Sequence, residues 1–205
     1  MHALKADTYR EFGRFSWWLI AKGIVMNGAF RVVVTMRWCQ AAQRSLPALR
    51  WLVLTPAKVL HRLTCHWAGI ELPWRTSIAP GLALTHGRGI VVNAKVQIGG
   101  NVTIFHGVTL GQSDHIDDKG HRFPRYPVIE DDVWIGPHAI VVGGITIGKG
   151  SRIVGGAFVC EDVPPYCMVL GNPGKIVKND CKPDVENSYD FPDLGPSTKQ
   201  NSALR

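Results

Sequence analysis

The chain has 205 residues, enough for one domain with a sizeable core and a smaller additional segment. Its apolar fraction of 45% and charged fraction of 19% exclude a largely disordered protein. The formal net charge of +7 arises at one end, because residues 1–70 hold ten Lys and Arg against only Asp7 and Glu11. This imbalance indicates an anionic membrane surface or an acidic partner. It does not indicate nucleic acid, because no recognisable binding module accompanies it.

Residues 1–70 are predicted to form a helical N-terminal segment. Apolar side chains recur there at helical spacing over 8–45 and 48–68, with breaks near Ser45–Pro47 and at Pro56. Residues 17–36 have the length of a membrane span, but Lys22 and Arg31 interrupt them. We expect the segment to pack on the rest of the molecule or on another subunit. A compatible alternative is attachment to a membrane surface through five tryptophans: Trp17, Trp18, Trp38, Trp51 and Trp67.

The five cysteines are odd in number and contain no C-x-x-C pair. They are Cys39, Cys65, Cys160, Cys167 and Cys181. This usage favours free thiols in a reducing compartment. We therefore expect a cytoplasmic location, with peripheral contact at the inner face of the membrane as an addition to it.

A period of six residues governs the chain from residue 78 onward. One run of aliphatic residues at six-residue steps is Ile78, Leu84, Ile90, Val96, Val102 and Val108. A second run is Ile129, Ile135, Val141, Ile147, Ile153 and Val159. A strand shows period two and a helix about 3.6, so period six predicts a short strand and a turn repeated three times per coil. The fold class is therefore mainly β, a triangular parallel β-helix over residues 71–177.

Residues 111–127 interrupt this repeat and are predicted to leave the coil as an external loop, because they are polar and rich in Asp and His. Residues 178–205 are predicted to be a flexible tail, with Tyr189 and Phe191 as its possible docking points.

Four sequence motifs in this region are those of a known enzyme family. They are Leu84 to Val92 (LTHGRGIVV), Val108 to Gly111 (VTLG), Val133 to Gly136 (VWIG), and Val163 to Pro165 (VPP) followed by Gly171 to Val177 (GNPGKIV). Over residues 70–177 the chain resembles hexapeptide-repeat acetyltransferases of the serine acetyltransferase group, and most of all their exopolysaccharide (colanic-acid-type) relatives. The resemblance implies a left-handed coil, a homotrimer, and acetyl-CoA as acetyl donor.

The resemblance also implies a catalytic histidine at His86. Histidine is the residue type most often used as a general base, and an outward imidazole at a glycine-rich corner can reach a bound hydroxyl. Glu71 is the candidate carboxylate that orients it, because similar serine acetyltransferases carry an aspartate fifteen residues before the histidine. His106 is expected to be a satisfied histidine at a corner of the coil.

The candidate substrate-binding residues are Thr85, His121, Arg125 and Tyr126. Serine acetyltransferases have an aspartate where this chain has Thr85, and they have a histidine where it has Tyr126. Because the aspartate helps to hold the substrate ammonium, its loss predicts a neutral acceptor hydroxyl on a sugar, a polysaccharide or a lipid-linked saccharide. The alternatives are free serine, which would serve cysteine synthesis, and a non-catalytic β-helix scaffold.

Acetyl-CoA lies between neighbouring subunits in the family that the chain resembles. Six positions match residues that contact it: Gly111, Gly136, Arg152, Gly155, Gly156 and Lys175. No P-loop or dinucleotide fingerprint is present. No metal is expected, because His115 and His121 lack the spacing of the three-histidine sites known on this fold.

Overall fold

Helices make up most of the first 68 residues in the computed structural model, which describes residues 2–190. They are α1 (His2–Phe12), α2 (Trp17–Met26), α3 (Gly28–Gln43) and α4 (Pro47–Ala68). The Asn27 side chain caps α3 by accepting a hydrogen bond from the Phe30 backbone N–H. Helix α4 begins with Pro47 in its first turn and ends at Ala68, where Gly69 caps it in a left-handed conformation. Pro56 lies inside α4 and does not end it.

The helices are fixed to the β-helix through a buried ion pair. Arg37 Nε of α3 lies 2.7 Å from Asp7 Oδ2 of α1, and both side chains are almost completely buried. The second Asp7 oxygen accepts the backbone N–H groups of Gly81 and Leu82. Arg37 also donates to the Ile78 carbonyl at 2.8 Å. The helical segment and the first coil therefore form one packed body.

Short strands from residue 77 to residue 178 form the coils and a hairpin. They are β1 (Ser77–Ile78), β2 (Ala83–Thr85), β3 (Val91–Val92), β4 (Gln97–Ile98), β5 (Thr103–Phe105), β6 (Thr109–Gly111), β7 (Ser113–Ile116), β8 (Arg122–Arg125), β9 (Val128–Ile129), β10 (Trp134–Ile135), β11 (Ile140–Val142), β12 (Thr146–Ile147), β13 (Arg152–Ile153), β14 (Phe158–Val159), β15 (Met168–Leu170) and β16 (Lys175–Lys178). Their order in three sheets is β1-β4-β9-β12, β2-β5-β10-β13-β15-β16 and β3-β6-β11-β14. The pairing within these sheets is parallel, except for the antiparallel β15 and β16. The predicted β-helix with N-terminal helices is confirmed.

All twelve aliphatic residues of the two predicted runs are buried. Their register nevertheless differs from one unbroken period of six. Leu84 pairs with Ile104, and Val92, not Ile90, pairs with Leu110. The step from Leu84 to Val92 is eight residues, so two extra residues lie in the turn that contains His86. The sequence run stays unbroken because the residues two before the next four ladder positions are also aliphatic: Ile90, Val96, Val102 and Val108.

The predicted external loop is an antiparallel hairpin of β7 and β8. It covers Ser113–Arg125, which is thirteen residues. The ladder residues on either side, Leu110 and Ile129, are nineteen residues apart, so thirteen residues leave the coil and one ordinary step of six remains. The coil continues after the hairpin in the same register.

The segment predicted to be a flexible tail is held against the fold as far as residue 190. The Asn187 side chain donates to the Arg10 carbonyl at 3.2 Å. Asn101 accepts the Tyr189 backbone N–H and donates to the Tyr189 carbonyl. Buried Asn101 thus satisfies both backbone groups of Tyr189 and holds the tail to the fold at that residue. Phe191 lies outside the described residues.

No single described helix is long and apolar enough to cross a membrane. Helices α2 and α3 meet the length and composition requirement only together, and they are bent by 120° where they join.

Candidate functional site

His86 stands directly after β2, in the turn that contains the two extra residues. It adopts a left-handed conformation with φ of 52°, and its side chain is exposed. A Cβ at the neighbouring Gly87 would lie 2.7 Å from the Ala29 side chain of α3. Helix α3 therefore packs directly against this turn, and only glycine allows that approach.

Three histidines lie along the same corner of successive coils. The His86 ring centroid is 6.2 Å from that of His106, and the His106 ring lies perpendicular to His138 at 5.0 Å. His106 Nδ1 is buried without a hydrogen-bond partner among the described residues, so His106 is not the satisfied histidine that was expected. His138 was missed at the sequence level. The sequence signal that could have found it is the register of the coils, which places residues 86, 106 and 138 at the same corner.

His86 opens into a cavity of about 760 Å³ between the helices and the β-helix. Thr85 and His86 line one wall, the ends of α2 and α4 contribute Met26 and Trp67, and the docked tail contributes Asn187. The charged residues of the lining are Arg10, Glu11, Arg31, Arg88 and Glu186. Carboxylates and guanidinium groups thus share one cavity with the candidate base.

Two of the cavity's arginines donate hydrogen bonds to neighbouring groups of the fold. Arg10 donates to Thr103 Oγ1 at 2.6 Å and to the Gly81 carbonyl at 3.2 Å. Arg31 donates to the Ile24 and Val25 carbonyls. Arg88, in contrast, is exposed. Two guanidinium groups of this cavity can therefore meet a ligand: that of Arg88, and that of Arg10 through Nη1, which is buried without a hydrogen-bond partner in residues 2–190.

Glu11 is a carboxylate that has no ion-pair partner in the described part of the chain. Its Oε1 accepts a hydrogen bond from Asn27 Nδ2 at 2.6 Å. Burial raises the pKa of Glu11, while the Asn27 hydrogen bond and the Arg10 charge act in the opposite direction. A cationic ligand group in the cavity would favour the ionised form of Glu11.

Glu71 lies apart from His86. It forms a parallel bridge with Val91, and its side chain lines a second cavity of about 410 Å³ together with Lys58 and Trp74. No hydrogen bond joins Glu71 to His86 in residues 2–190. The orienting role of Glu71 stays a prediction without a direct contact.

His121, Arg125 and Tyr126 belong to the hairpin and the residue that follows it, and none of them lines the His86 cavity of the same chain. His121 Nδ1 lies 2.9 Å from Asp117 Oδ2 on the exposed hairpin. The backbone N–H of His121 and then its side chain lower the pKa of Asp117. Arg125 packs over Gly144, where a Cβ would lie 2.9 Å from its side chain.

The four glycines among the candidate acetyl-CoA positions differ in how closely other atoms pack against them. A Cβ at Gly136 would lie 2.7 Å from the Gly155 backbone nitrogen, and one at Gly111 would lie 3.2 Å from the Val142 side chain. Gly155 and Gly156 are exposed, and Gly156 has open space on its Cβ side. These two corner residues leave backbone accessible to a long thin ligand such as the pantetheine arm.

The two basic candidates are exposed to different degrees. The Arg152 guanidinium lies 4.3 Å from the Trp134 ring centroid and 2.8 Å from Asp184 Oδ2. Lys175 is exposed at the start of β16. A phosphate at Arg152 would have to compete with Asp184. Residues 2–190 contain no group of three or more His, Cys, Asp or Glu that could hold a metal ion.

Residues 126–161 match the family described as bacterial transferase hexapeptide (six repeats). The serine acetyltransferase of Bacillus subtilis (strain 168) is 38% identical over 140 residues, which are 67% of this chain and 62% of that relative. The serine acetyltransferase of Mycobacterium tuberculosis is 34% identical over 150 residues, 70% of this chain and 63% of the relative. The chain thus spans slightly less than two thirds of the length of these two relatives.

The chain contains bacterial transferase hexapeptide repeats and is similar to serine acetyltransferases. Solved structures extend the likeness to the helices. The Neisseria gonorrhoeae serine acetyltransferase (CysE) superposes with a TM-score of 0.67 and 28% identity, covering 88% of this chain and 65% of that one. A serine acetyltransferase of Brucella abortus in complex with coenzyme A gives a TM-score of 0.66 and 25% identity, covering 88% of this chain and 68% of that one.

These comparisons correct the predicted acceptor. The relatives are named serine acetyltransferases, so a sugar or polysaccharide acceptor, and the closer relation to exopolysaccharide enzymes, were wrong. The prediction depended on Thr85, which lacks the negative charge expected next to His86. That reasoning overlooked residues far away in sequence, because Glu11 and Glu186 bring carboxylates to the same cavity.

Proposed function

We propose that this chain is a serine O-acetyltransferase, which transfers an acetyl group from acetyl-CoA to the hydroxyl of serine. The observation that carries the proposal is the mixed charge of the cavity beside His86. Serine is a zwitterion, and a cavity that offers both Glu11 and Arg88 can meet its ammonium and its carboxylate. The names of the relatives support the same acceptor.

His86 acts as the general base in this proposal. Its imidazole accepts the proton of the serine hydroxyl while the hydroxyl oxygen attacks the thioester carbonyl carbon. The C–S bond then breaks, the acetyl group remains on the serine oxygen, and the imidazolium returns its proton to the CoA sulfur. Transfer is direct, because the lining of the cavity contains no cysteine that could carry the acetyl group.

Acceptor recognition is divided between the helical segment, the tail and the turn. Glu11 and Glu186 attract the ammonium, and Arg88 attracts the carboxylate. Thr85 has no charge and contributes a hydroxyl at the cavity wall. The position that carries an aspartate in similar enzymes is thereby replaced by carboxylates from other elements.

The donor site and the remaining candidate residues belong to an assembly. We place acetyl-CoA along Gly155 and Gly156 of a left-handed coil, with Gly111, Gly136, Arg152 and Lys175 beside it. Three copies form a trimer in which the hairpin of one copy brings His121, Arg125 and Tyr126 towards the site of a neighbour. This arrangement explains why these side chains lie away from His86 within one chain.

The reaction takes place in the cytoplasm in this proposal. All five cysteines are free thiols, and three of them, Cys39, Cys167 and Cys181, are buried. Buried unpaired thiols are typical of proteins from reducing compartments.

The test is release of CoA from acetyl-CoA with four acceptors that differ in charge. L-Serine carries both charges, ethanolamine only the ammonium, glycolate only the carboxylate, and glycerol neither. We expect efficient turnover with serine and at least about tenfold lower kcat/KM when either charge is missing. Equal turnover with glycerol and serine would overturn the amino-acid acceptor, and CoA binding without turnover of any acceptor would overturn the enzymatic proposal.

A further inference from the structure

Helix α4 buries only a narrow stripe of its surface. Leu54, His61 and Thr64 are its buried residues, and they pack towards α3 and the first coil. The large apolar residues on the rest of the helix are exposed: Leu49, Trp51, Leu52, Val53, Val59, Leu60, Leu63 and Trp67. Trp51 is 71% exposed and Trp67 68%. We call this set the α4 outer face.

A shallow apolar groove continues this face onto α3. It has a volume of about 530 Å³, and Trp38, Val53 and Leu60 lie on its two sides. Helix α2 adds two more exposed tryptophans, Trp17 and Trp18. All five tryptophans singled out in the sequence are thus at the surface, although such side chains are usually at least partly buried in a folded protein.

The charges around this face have one sign. Residues 12–70 contain eight Lys and Arg and no Asp or Glu. Arg50 and Arg62 are exposed on α4, and the exposed Lys22 lies 5.4 Å from the Trp18 ring centroid. Arg37 is different, because it is buried in the ion pair with Asp7, and the buried Arg10 holds Thr103, so neither takes part in the cationic surface.

We propose that the α4 outer face and its flanking cations dock on the surface of an anionic lipid bilayer. Exposed tryptophans prefer the boundary between headgroups and acyl chains, and each basic residue near an anionic leaflet adds attraction. A second copy of this chain is a poorer occupant, because two cationic faces would repel each other. This inference does not depend on the proposed function, since none of the test variants below touches the His86 cavity.

The test is co-sedimentation of the full chain with vesicles of phosphatidylcholine alone or mixed with phosphatidylglycerol. We expect binding to the mixed vesicles that weakens as salt is raised, because salt screens the attraction. The double variant Arg50→Glu/Arg62→Glu should bind at least about thirtyfold more weakly, which corresponds to about 1 kcal/mol for each cation. Its matched control, Lys95→Glu/Lys119→Glu, makes the same change in net charge at exposed sites of the coil and the hairpin. It should bind the mixed vesicles much more tightly than the Arg50/Arg62 variant.

A second pair of variants tests the apolar contribution. Trp51→Ser/Leu52→Ser should lose at least about tenfold in binding, whereas Ile116→Ser/Phe123→Ser on the exposed hairpin should not. Circular dichroism checks that each variant is folded. Absence of binding to both vesicle types at low salt, or equal losses in test and control variants, would overturn the proposal. A third outcome would also overturn it: no vesicle binding, together with light scattering in which the α4 variants dissociate an oligomer. The α4 outer face would then be an interface with a second copy of the chain.

Discussion

His86 owes its position to two extra residues in the turn after β2. They break the six-residue register and hold the imidazole at a corner where the chain has left-handed φ. We expect His86→Ala to lower kcat by about 10²- to 10⁴-fold, the usual effect of losing a general base, while CoA binding persists. CoA release and equilibrium CoA binding measure the two quantities. His66→Ala, an exposed histidine outside the cavity, is the matched control, and near-normal turnover of the His86 variant would exclude it as the base.

The ionised Glu11 carboxylate is expected to bind the serine ammonium, although its burial lowers the stability of the folded protein near neutral pH. We expect Glu11→Gln to raise KM for serine by about ten- to a hundredfold, the range for losing a charge-assisted hydrogen bond, while Asn27 keeps its acceptor. Steady-state kinetics with serine and with ethanolamine measure this effect. An unchanged KM for both acceptors would exclude Glu11 from ammonium recognition.

The same substitution has a predicted effect on stability. Burial raises the pKa of folded Glu11 above its ordinary value of 4.5, so the folded state binds the proton more tightly than the unfolded state does. The stability that this provides is complete below pH 4.5 and is lost as pH rises through the folded pKa. Near neutral pH, Glu11→Gln should therefore raise Tm, and below pH 4.5 it should change Tm little. Thermal unfolding at the two pH values measures the difference, and a lower Tm near neutrality would contradict the predicted sign.

At the scale of elements, the Asp7–Arg37 pair joins α1 and α3 to the first coil. Asp7→Ala would leave the Arg37 guanidinium buried without its counterion and the Gly81 and Leu82 N–H groups without an acceptor. We expect a loss of about 3–5 kcal/mol in the free energy of unfolding, measured by denaturant titration. The control is Asp114→Ala, which removes an exposed pair with Arg122 and should cost about 1 kcal/mol or less. Equal losses of unfolding free energy in both variants would contradict the expectation that burial makes the Asp7–Arg37 pair more important for stability than an exposed pair.

The thirteen residues of the hairpin can be removed without changing the register of the coil. Deletion of residues 113–125 removes thirteen residues and leaves a six-residue step between Leu110 and Ile129, so we expect a folded β-helix with nearly unchanged Tm. Deletion of residues 113–124 is the control. It leaves a step of seven, which shifts side chains between the inside and the outside of the coil, and should lower Tm strongly. Circular dichroism with thermal unfolding measures both, and equal stability would refute the assigned register.

At the scale of the whole molecule, the cavity is completed by parts of the chain that are far apart in sequence. Residues 10–11, the ends of α2 and α4, the His86 turn and residues 186–187 all line it. Truncation after Lys178 removes Glu186 and frees the Arg10 carbonyl from Asn187. We expect a higher KM for serine and a lower Tm in the truncated chain. An unchanged KM in steady-state assays would exclude the tail from acceptor binding.

Assembly is the second prediction at this scale. We expect light scattering to give three times the 22.6 kDa of one chain. Deletion of residues 113–125 should reduce kcat in the trimer if the hairpin serves a neighbouring site. A monomeric protein with full activity would contradict both the trimer and the shared site.

Much of this fold could be predicted from the sequence, because the information is local. An aliphatic residue every six positions fixes a strand and a turn wherever it occurs, and the loop within residues 111–127 is visible in the sequence as a polar gap. The motif around His86 likewise lies within one short stretch. Only the tertiary structure revealed that two extra residues follow Leu84. The sequence does not show them, because each coil face has two inward positions and both are aliphatic there. The tertiary structure also decided which charges share the cavity with the base, because packing brings Glu11 and Glu186 into the lining that contains His86 across more than 70 residues of chain, and no local pattern records this arrangement.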